Sequence, residues 1–201
     1  MKESSKIVFL LGKAGSGKDT VGELFIKKGY TRIGFADAVR TEYAERYNVP
    51  MEHLTRQGPL KEKHRPNIIE LAEGKRDIDP YYWANTALTP YLEKGIFKPN
   101  VKLVITDARR ISDIVWYYNM LKTTTYLNAD GRTEYKNFLN LFYVDRNVED
   151  LDVLTHYTIG YAQGYSKADT VLPLITATID NNGTLEELSQ KVEDCFTFYN
   201  L

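Results

Sequence analysis

The feature that most constrains this chain is a glycine-rich segment that directly follows an apolar run. Residues 7–11 read IVFLL, and residues 12–18 read GKAGSGK. Two glycines five positions apart, the second followed by lysine, form the pattern of a phosphate-binding loop when a strand precedes and a helix follows. The glycines allow a tight turn that points several backbone N–H groups at phosphate oxygens. The segment therefore predicts a nucleotide site in which Lys18 reaches the outer phosphates and the next helix adds its positive end.

The position after the lysine departs from the usual pattern. Ser or Thr normally stands there, and its hydroxyl meets magnesium. Here Asp19 follows the lysine and Thr20 comes one residue later, so Asp19 is a candidate magnesium ligand, directly or through water. The residues expected to hold ATP are Gly12, Lys13, Ala14, Gly15, Ser16, Gly17, Lys18, Asp19 and Thr20.

Composition limits the class of protein. The 201 residues, with 43% hydrophobic and 26% charged residues, suit one α/β domain with a substantial core. A net charge of −1 implies no general nucleic-acid-binding surface. No apolar run is long enough to span a membrane. A single cysteine, Cys195, rules out an intramolecular disulfide and suits a reducing compartment, so we expect a cytoplasmic protein.

Strand and helix patterns alternate along the chain. Apolar runs predict strands at 6–11, 31–35, 101–107, 139–145 and 175–180. Helical spacing predicts helices at 18–28, from Asp37 to about Asn48, and at 67–74, 80–94, 110–121 and 185–199. The polar stretch 50–66 is interpreted as a mobile connection, 123–137 as a hairpin or insertion, and 146–172 as a lid or long loop. The alternation predicts an α/β fold, a mostly parallel sheet with helices on both faces.

Several charged residues follow the predicted strands. Ligands of such sheets bind at the carboxyl ends of the strands, so Gly12, Asp37, Asp107 and Arg146 should converge on one crevice. Asp107 is a candidate magnesium ligand, with a helix cap or an arginine partner as the alternative. Asp37 is equally well explained as a substrate or metal ligand or as a helix cap. Positive charge for phosphoryl transfer is available from Arg40, Arg65, Arg76, Arg109, Arg110 and Arg146.

Five segments, in this order, carry a resemblance to a known family. They are residues 12–20, 35–40, 64–83, 104–110 and 179–188. Together they resemble the bacteriophage deoxynucleoside monophosphate kinases. The resemblance implies a three-layer P-loop kinase fold with a core of 1–36, 96–145 and 173–201, a mobile nucleotide-acceptor segment at 37–95, and a lid at 146–172. It also implies transfer of the ATP γ-phosphate to a deoxynucleoside monophosphate, with Mg²⁺, giving a diphosphate and ADP.

The resemblance also assigns roles to residues. It places Lys18, Arg109 and Arg146 in catalysis, the last as the lid arginine. It places the acceptor beside Asp37, Arg40, Arg65, Arg76 and Trp83, although a core role for Trp83 is the more common one for a tryptophan. Asp107 and Arg109 would lie between the two substrates, and Asp19 and Asp107 would hold the metal. Residues 155–158 resemble a Thr-His motif of the lid.

Other readings of the sequence stay open. A dephospho-coenzyme A kinase would phosphorylate a hydroxyl and would use Asp37 as a base. An ATP-binding switch protein would hold the nucleotide without transferring phosphate, and a degenerate relative would be inactive. The expected partners are small-molecule nucleotides, and a homodimer is one alternative for the oligomeric state.

Overall fold

The structure is a computed structural model, and it describes residues 5–93, 96–98, 100–125, 139–148 and 174–201. For residues 96 and 121–125 it describes the backbone alone. The chain forms two compact units. The first, which we call the core unit, comprises Met1–Ile33 and Tyr91–Leu201, and the second, the helical unit, comprises Gly34–Pro90.

The core unit contains a five-stranded parallel sheet. Its strands are β1 (Lys6–Leu11), β2 (Thr31–Ile33), β5 (Lys102–Ile105), β6 (Leu139–Asp145) and β7 (Ala177–Asp180). They lie in the order β2-β5-β1-β6-β7, so β1 is central and its neighbours come from distant parts of the chain. The crossover direction reverses at β1, which is where ligands of open parallel sheets bind. A separate two-stranded antiparallel hairpin pairs β3 (Leu92–Glu93) with β4 (Ile96–Phe97).

Helices cover both faces of the sheet. On one face, Val8 and Leu10 pack with Phe25 of α1 (Lys18–Lys27) and Val192 of α7 (Leu185–Tyr199). On the other face, Phe9 packs against the rings of Trp116 and Tyr117. Both aromatics belong to α6 (Ile111–Thr125). Successive residues of β1 thus point to opposite helical layers, which is why the strand is apolar throughout. The predicted α/β fold, a parallel sheet between two helical layers, is confirmed.

The helical unit differs from the sequence prediction. It contains α2 (Phe35–Tyr47), α3 (Met51–Thr55), α4 (Pro59–Ile78), α5 (Tyr82–Leu88) and a 3-10 turn at Thr89–Tyr91. Residues 50–66, interpreted from the sequence as a mobile connection, are helical over most of their length, because they contain α3 and the start of α4, which continues through Pro66 and Gly74. Proline is well placed in a first helical turn, and Gly58 at positive φ precedes it. The helix predicted at 80–94 ends at Leu88, close to Pro90.

Two predicted segments lie largely outside the described residues. The insertion predicted at 123–137 and the lid at 146–172, with its 155–158 motif, are described only at residues 123–125 and 146–148. Within the part of the chain that the structure describes, no helix is long and apolar enough to cross a membrane.

Candidate active site

The glycine-rich segment forms a loop at the carboxyl end of the central strand. Strand β1 ends at Leu11, and α1 begins at Lys18 with Gly17 as its N-cap in the left-handed conformation. The Ser16 N–H donates to the Lys13 carbonyl at 3.2 Å, which closes a turn inside the loop. The structure thus has the strand–loop–helix layout that a phosphate-binding loop requires.

Two glycines of the loop combine a positive φ with neighbouring atoms that lie where a side chain would begin. Gly12 has φ 156°, and a Cβ there would lie 2.5 Å from the Val144 carbonyl oxygen of β6. Gly17 has φ 93°, and a Cβ there would lie 2.2 Å from the Asn181 amide nitrogen. A side chain at Gly12 would displace the loop from β6, and one at Gly17 would push the Asn181 amide away from the loop. The glycine spacing in the sequence therefore reflects contacts to two distant segments.

Lys18 points back into the loop. Its ammonium group donates to the carbonyl oxygens of Gly12 and Lys13, both at 2.7 Å, and the residue is only 7% exposed. The positive charge is therefore held inside the glycine-rich turn beside the N-terminal end of α1. That arrangement places a fixed ammonium and backbone N–H groups together, which suits an anionic phosphate chain.

The segment that follows β5 carries two of the predicted residues. Asp107 is half-buried there, and Arg109 is exposed. The backbone N–H groups of Arg109 and Arg110 both donate to Oδ2 of Asp113 at 2.9 Å. Asp113 is buried at the start of α6, so its carboxylate fixes the backbone on which the arginines stand. Asp113 was not among the predicted site residues, although an acid three residues after a predicted helix start is a recognisable signal.

Arg146 is exposed and immediately follows β6, and hydrogen bonds on both sides hold its backbone. The Asn181 N–H donates to the carbonyl oxygen of the preceding residue, Asp145, at 2.7 Å. The following Asn147 N–H donates to the Asn182 side chain at 2.7 Å. Arg146 follows a buried strand, as predicted. Its role as a lid arginine stays a prediction.

Asn181 also contacts the phosphate-binding loop. Its side-chain amide donates to the Ser16 carbonyl oxygen at 2.7 Å. Asn181 lies within the segment 179–188 that contributes to the family resemblance, but no site role was predicted for it. This contact joins residues 165 positions apart, so no local pattern could have revealed it.

The predicted acceptor residues of the helical unit lie on helices and not in loops. Asp37 is in the first turn of α2, so the prediction that it ends a strand is wrong, because β2 stops at Ile33. Arg40 pairs with Asp37 at 2.5 Å. Arg65 pairs with Glu62 at 3.5 Å, and Arg76 pairs with Glu73 at 3.2 Å, both within α4. Each arginine thus lies one helical turn from an acidic partner.

Trp83 lies in the interior of the helical unit. Its indole N–H donates to the Ala72 carbonyl at 3.0 Å, and the residue is 1% exposed. Direct contact with an acceptor, as the resemblance implied, is incompatible with this burial, and the core role matches the usual place of tryptophan. A polar cluster nearby comprises Glu42, Lys75 and Tyr82. The Lys75 ammonium donates to the Tyr82 hydroxyl and to the Glu42 carboxylate, both at 3.0 Å, and these hydrogen bonds raise the pKa of Lys75.

The candidate magnesium ligands at this edge of the sheet are single carboxylates on separate segments of the chain. Among the described residues, no group of three or more His, Cys, Asp or Glu side chains is placed to hold a metal ion. Magnesium in phosphoryl-transfer sites is held by one or two carboxylates together with substrate phosphates and water. Asp19 lies in the first turn of α1 and Asp107 follows β5, so each could supply one such carboxylate, and their role as magnesium ligands stays a prediction.

Comparisons with known proteins agree on a kinase family. A family model described as phosphomevalonate kinase matches residues 10–123, more than half of the chain. A phosphomevalonate kinase of Drosophila melanogaster is 27% identical over 115 residues, which are 56% of this chain and 59% of that protein. The chain therefore spans well under two thirds of the curated relative that it matches.

Solved structures give a weaker likeness. A Thermus thermophilus protein, TT1252, is 16% identical with a TM-score of 0.45, covering 97% of this chain and 98% of that one. A Sinorhizobium meliloti gluconokinase is 15% identical with a TM-score of 0.40, covering 96% and 91%. The fold is assigned from the strand order β2-β5-β1-β6-β7 of the parallel sheet. The match over residues 10–123 decides the family: this chain, with its P-loop kinase architecture, belongs to the phosphomevalonate kinase family.

Proposed function

We propose that this chain is an ATP-dependent kinase that transfers the γ-phosphate to the phosphate group of a small phosphomonoester, giving a diphosphate and ADP. The observation that carries the proposal is the buried ammonium of Lys18, held by two loop carbonyls at the N-terminal end of α1. A fixed positive charge inside a glycine-rich turn is the arrangement that binds the phosphates of ATP.

Phosphoryl transfer to a phosphate needs positive charge and alignment more than it needs a base. The acceptor oxygen is already anionic, so it can attack the γ-phosphorus in line while the bond to the leaving ADP oxygen breaks. Magnesium, when bound with ATP, supplies charge neutralisation at the β- and γ-phosphates. In this proposal Lys18 binds the outer phosphates, and Arg109 and Arg146 stabilise the charge of the transferring group.

The helical unit supplies the acceptor's phosphate site in this proposal. Arg40, Arg65 and Arg76 each present a planar guanidinium, which matches phosphate oxygens in pairs. Their acidic partners lie one turn away. The Arg65–Glu62 pair is exposed, and such a pair is worth at most about 1 kcal/mol, whereas Arg40 and Arg76 are half-buried. A doubly charged phosphate can therefore displace Glu62 from Arg65 at small cost. This is the reason for preferring a phosphate acceptor to a hydroxyl acceptor.

Two acceptors meet this requirement. Phosphomevalonate is favoured by the family match, which includes the whole helical unit at Gly34–Pro90. A deoxynucleoside monophosphate is favoured by the ordered motifs, among them residues 179–188, which lie beyond the matched span. Both carry a phosphate ester, and both would yield a diphosphate, so they share the chemistry proposed above.

The test is ADP release from MgATP with a panel of acceptors. The panel contains phosphomevalonate, the deoxynucleoside monophosphates, dephospho-coenzyme A and a control without acceptor. Turnover with a phosphomonoester supports the proposal and identifies the acceptor. Turnover with dephospho-coenzyme A alone would replace it with a hydroxyl-directed kinase. ATP binding without turnover on any acceptor would contradict it and favour a nucleotide-binding switch.

The role of Lys18 is tested by Lys18→Met with Lys27→Met as a matched control. Lys27 lies at the other end of α1 and is exposed, so its loss should leave turnover within about twofold, as expected for a surface substitution. Removing the Lys18 ammonium removes a charge-assisted contact to the phosphates, and kcat/KM should fall at least about a hundredfold. Equal activity of the two variants would refute the assignment of the loop as the ATP site.

A further inference from the structure

The turn between β7 and α7 fastens two parts of the candidate site. The Asn181 side-chain amide donates to the Ser16 carbonyl of the phosphate-binding loop at 2.7 Å. The backbone N–H of the same Asn181 donates to the Asp145 carbonyl at the end of β6, also at 2.7 Å. One residue thus links the phosphate-binding loop to the strand end that carries Arg146.

The side-chain contact fixes the orientation of one peptide group. In a trans peptide the C=O and the N–H point in opposite directions. Because Asn181 holds the Ser16 carbonyl on its own side, the N–H of Gly17 must point away from Asn181. Gly17 is the N-cap of α1, so its N–H belongs to the group of backbone donors from which a phosphate-binding loop is built.

Gly17 lies directly against the Asn181 side chain, and its φ of 93° disfavours any other residue. A Cβ on Gly17 would lie 2.2 Å from the Asn181 amide nitrogen, so the side-chain amide and the loop backbone are in direct contact. The side chain of the next residue, Asn182, has different partners: it accepts from the Asn147 N–H and donates to the Asp180 carboxylate. The two neighbouring side chains therefore have different partners: that of Asn181 holds the phosphate-binding loop, and that of Asn182 holds the segment after β6.

We propose that Asn181 is a positioning residue for phosphate binding: its amide holds the Ser16–Gly17 peptide so that the Gly17 N–H faces the bound phosphates. The inference deepens the proposed ATP site and rests on it. It also assigns a site role to a residue beyond the span of the family match.

The test compares Asn181→Ala and Asn181→Asp with Asn182→Ala in the full chain. The dissociation constants of ADP and of adenosine are measured by calorimetry or by competition. Without the amide donor the peptide is free to rotate, and we expect ADP affinity to fall roughly tenfold in Asn181→Ala, the loss of one well-placed hydrogen bond. Asn181→Asp keeps the shape but replaces the donor with a carboxylate, so ADP affinity should fall further. Adenosine affinity should not change.

Asn182→Ala is the matched control, and its ADP affinity should equal that of the wild type. Wild-type ADP affinity in Asn181→Ala would overturn the inference. An equal loss of ADP and adenosine binding would also overturn it, because it would show general disruption in place of a phosphate-specific effect. If the wild-type protein does not bind ADP, the proposed function itself fails, and this inference fails with it.

Discussion

A tight contact between α1 and the end of β5 gives a prediction whose magnitude can be worked out. Gly22 lies on the buried side of α1, and a Cβ there would lie 2.6 Å from Cγ2 of Thr106. Thr106 is 2% exposed and β-branched, so its methyl group has little freedom to move away. The substitution Gly22→Ala should therefore force the helix away from the strand end, in the same structural layer that holds Lys18.

Two opposing effects set the size of the change. Overpacking a well-packed site typically costs about 1–3 kcal/mol. Alanine in a helix interior gains about 1 kcal/mol over glycine. The net result for Gly22→Ala should be a loss of roughly 1 kcal/mol in the free energy of unfolding. Gly74 provides the matched control, because it lies inside α4 with nothing within 4 Å of its added Cβ. Gly74→Ala should gain about 0.5–1 kcal/mol.

A double-mutant cycle separates the clash from other causes. Thr106→Ser removes the Cγ2 methyl and should cost about 1 kcal/mol by itself. In Gly22→Ala/Thr106→Ser the new methyl occupies the vacated space, so this variant should be at least as stable as Thr106→Ser alone. Urea unfolding of the four proteins measures the coupling, which we expect to be at least about 1 kcal/mol. Zero coupling, or a gain in Gly22→Ala equal to that in Gly74→Ala, would refute the reasoning.

Two further predictions concern α7. Thr184 and Glu187 form a reciprocal capping box, so Thr184→Ala should lower the free energy of unfolding by about 1 kcal/mol, while the exposed Ser189→Ala should change it little in the same urea titration. Burial, with a smaller contribution from the Asp194 charge, raises the pKa of the Cys195 thiol from 9.0 to about 11. The folded state therefore holds this proton more tightly, and stability should fall as pH rises from about 9 to 11. Cys195→Ala should weaken that fall, measured by urea unfolding across this pH range; an unchanged pH dependence would contradict it.

The sequence predicted the core unit well because its signals are local. The apolar strand, the glycines and Lys18 of the loop all lie within residues 6–18, and the structure places them in the expected strand–loop–helix unit. The strand predicted at 139–145 has the observed bounds, since a run buried on both faces has no competing pattern. Strand ends were less accurate, because burial of a few terminal residues depends on the neighbouring strand.

The helical unit was predicted less well because its helices are polar. α4 has only Ala72 buried among its described residues, and it contains Pro66 and Gly74, which usually indicate breaks. Proline inside a helix loses one backbone hydrogen bond, but α4 is long enough to tolerate that loss. Local rules therefore favoured a connection over a helix. The same error placed Arg65 in a loop, whereas the structure places it on the exposed side of α4.

The contacts that shape the candidate site are the part that sequence patterns leave out. The loop motif is readable from residues 12–18, but its geometry depends on three distant partners: Val144 beside Gly12, Thr106 beside Gly22, and Asn181 beside Gly17. Two of the three lie beyond residue 123, where the family match ends. The family match over residues 10–123 therefore includes the phosphate-binding motif but not Val144 and Asn181, which contact its glycines. For this chain, the strength of phosphate binding is accordingly a property of the whole core unit, and substitutions at Asn181 should alter it as surely as substitutions in the loop.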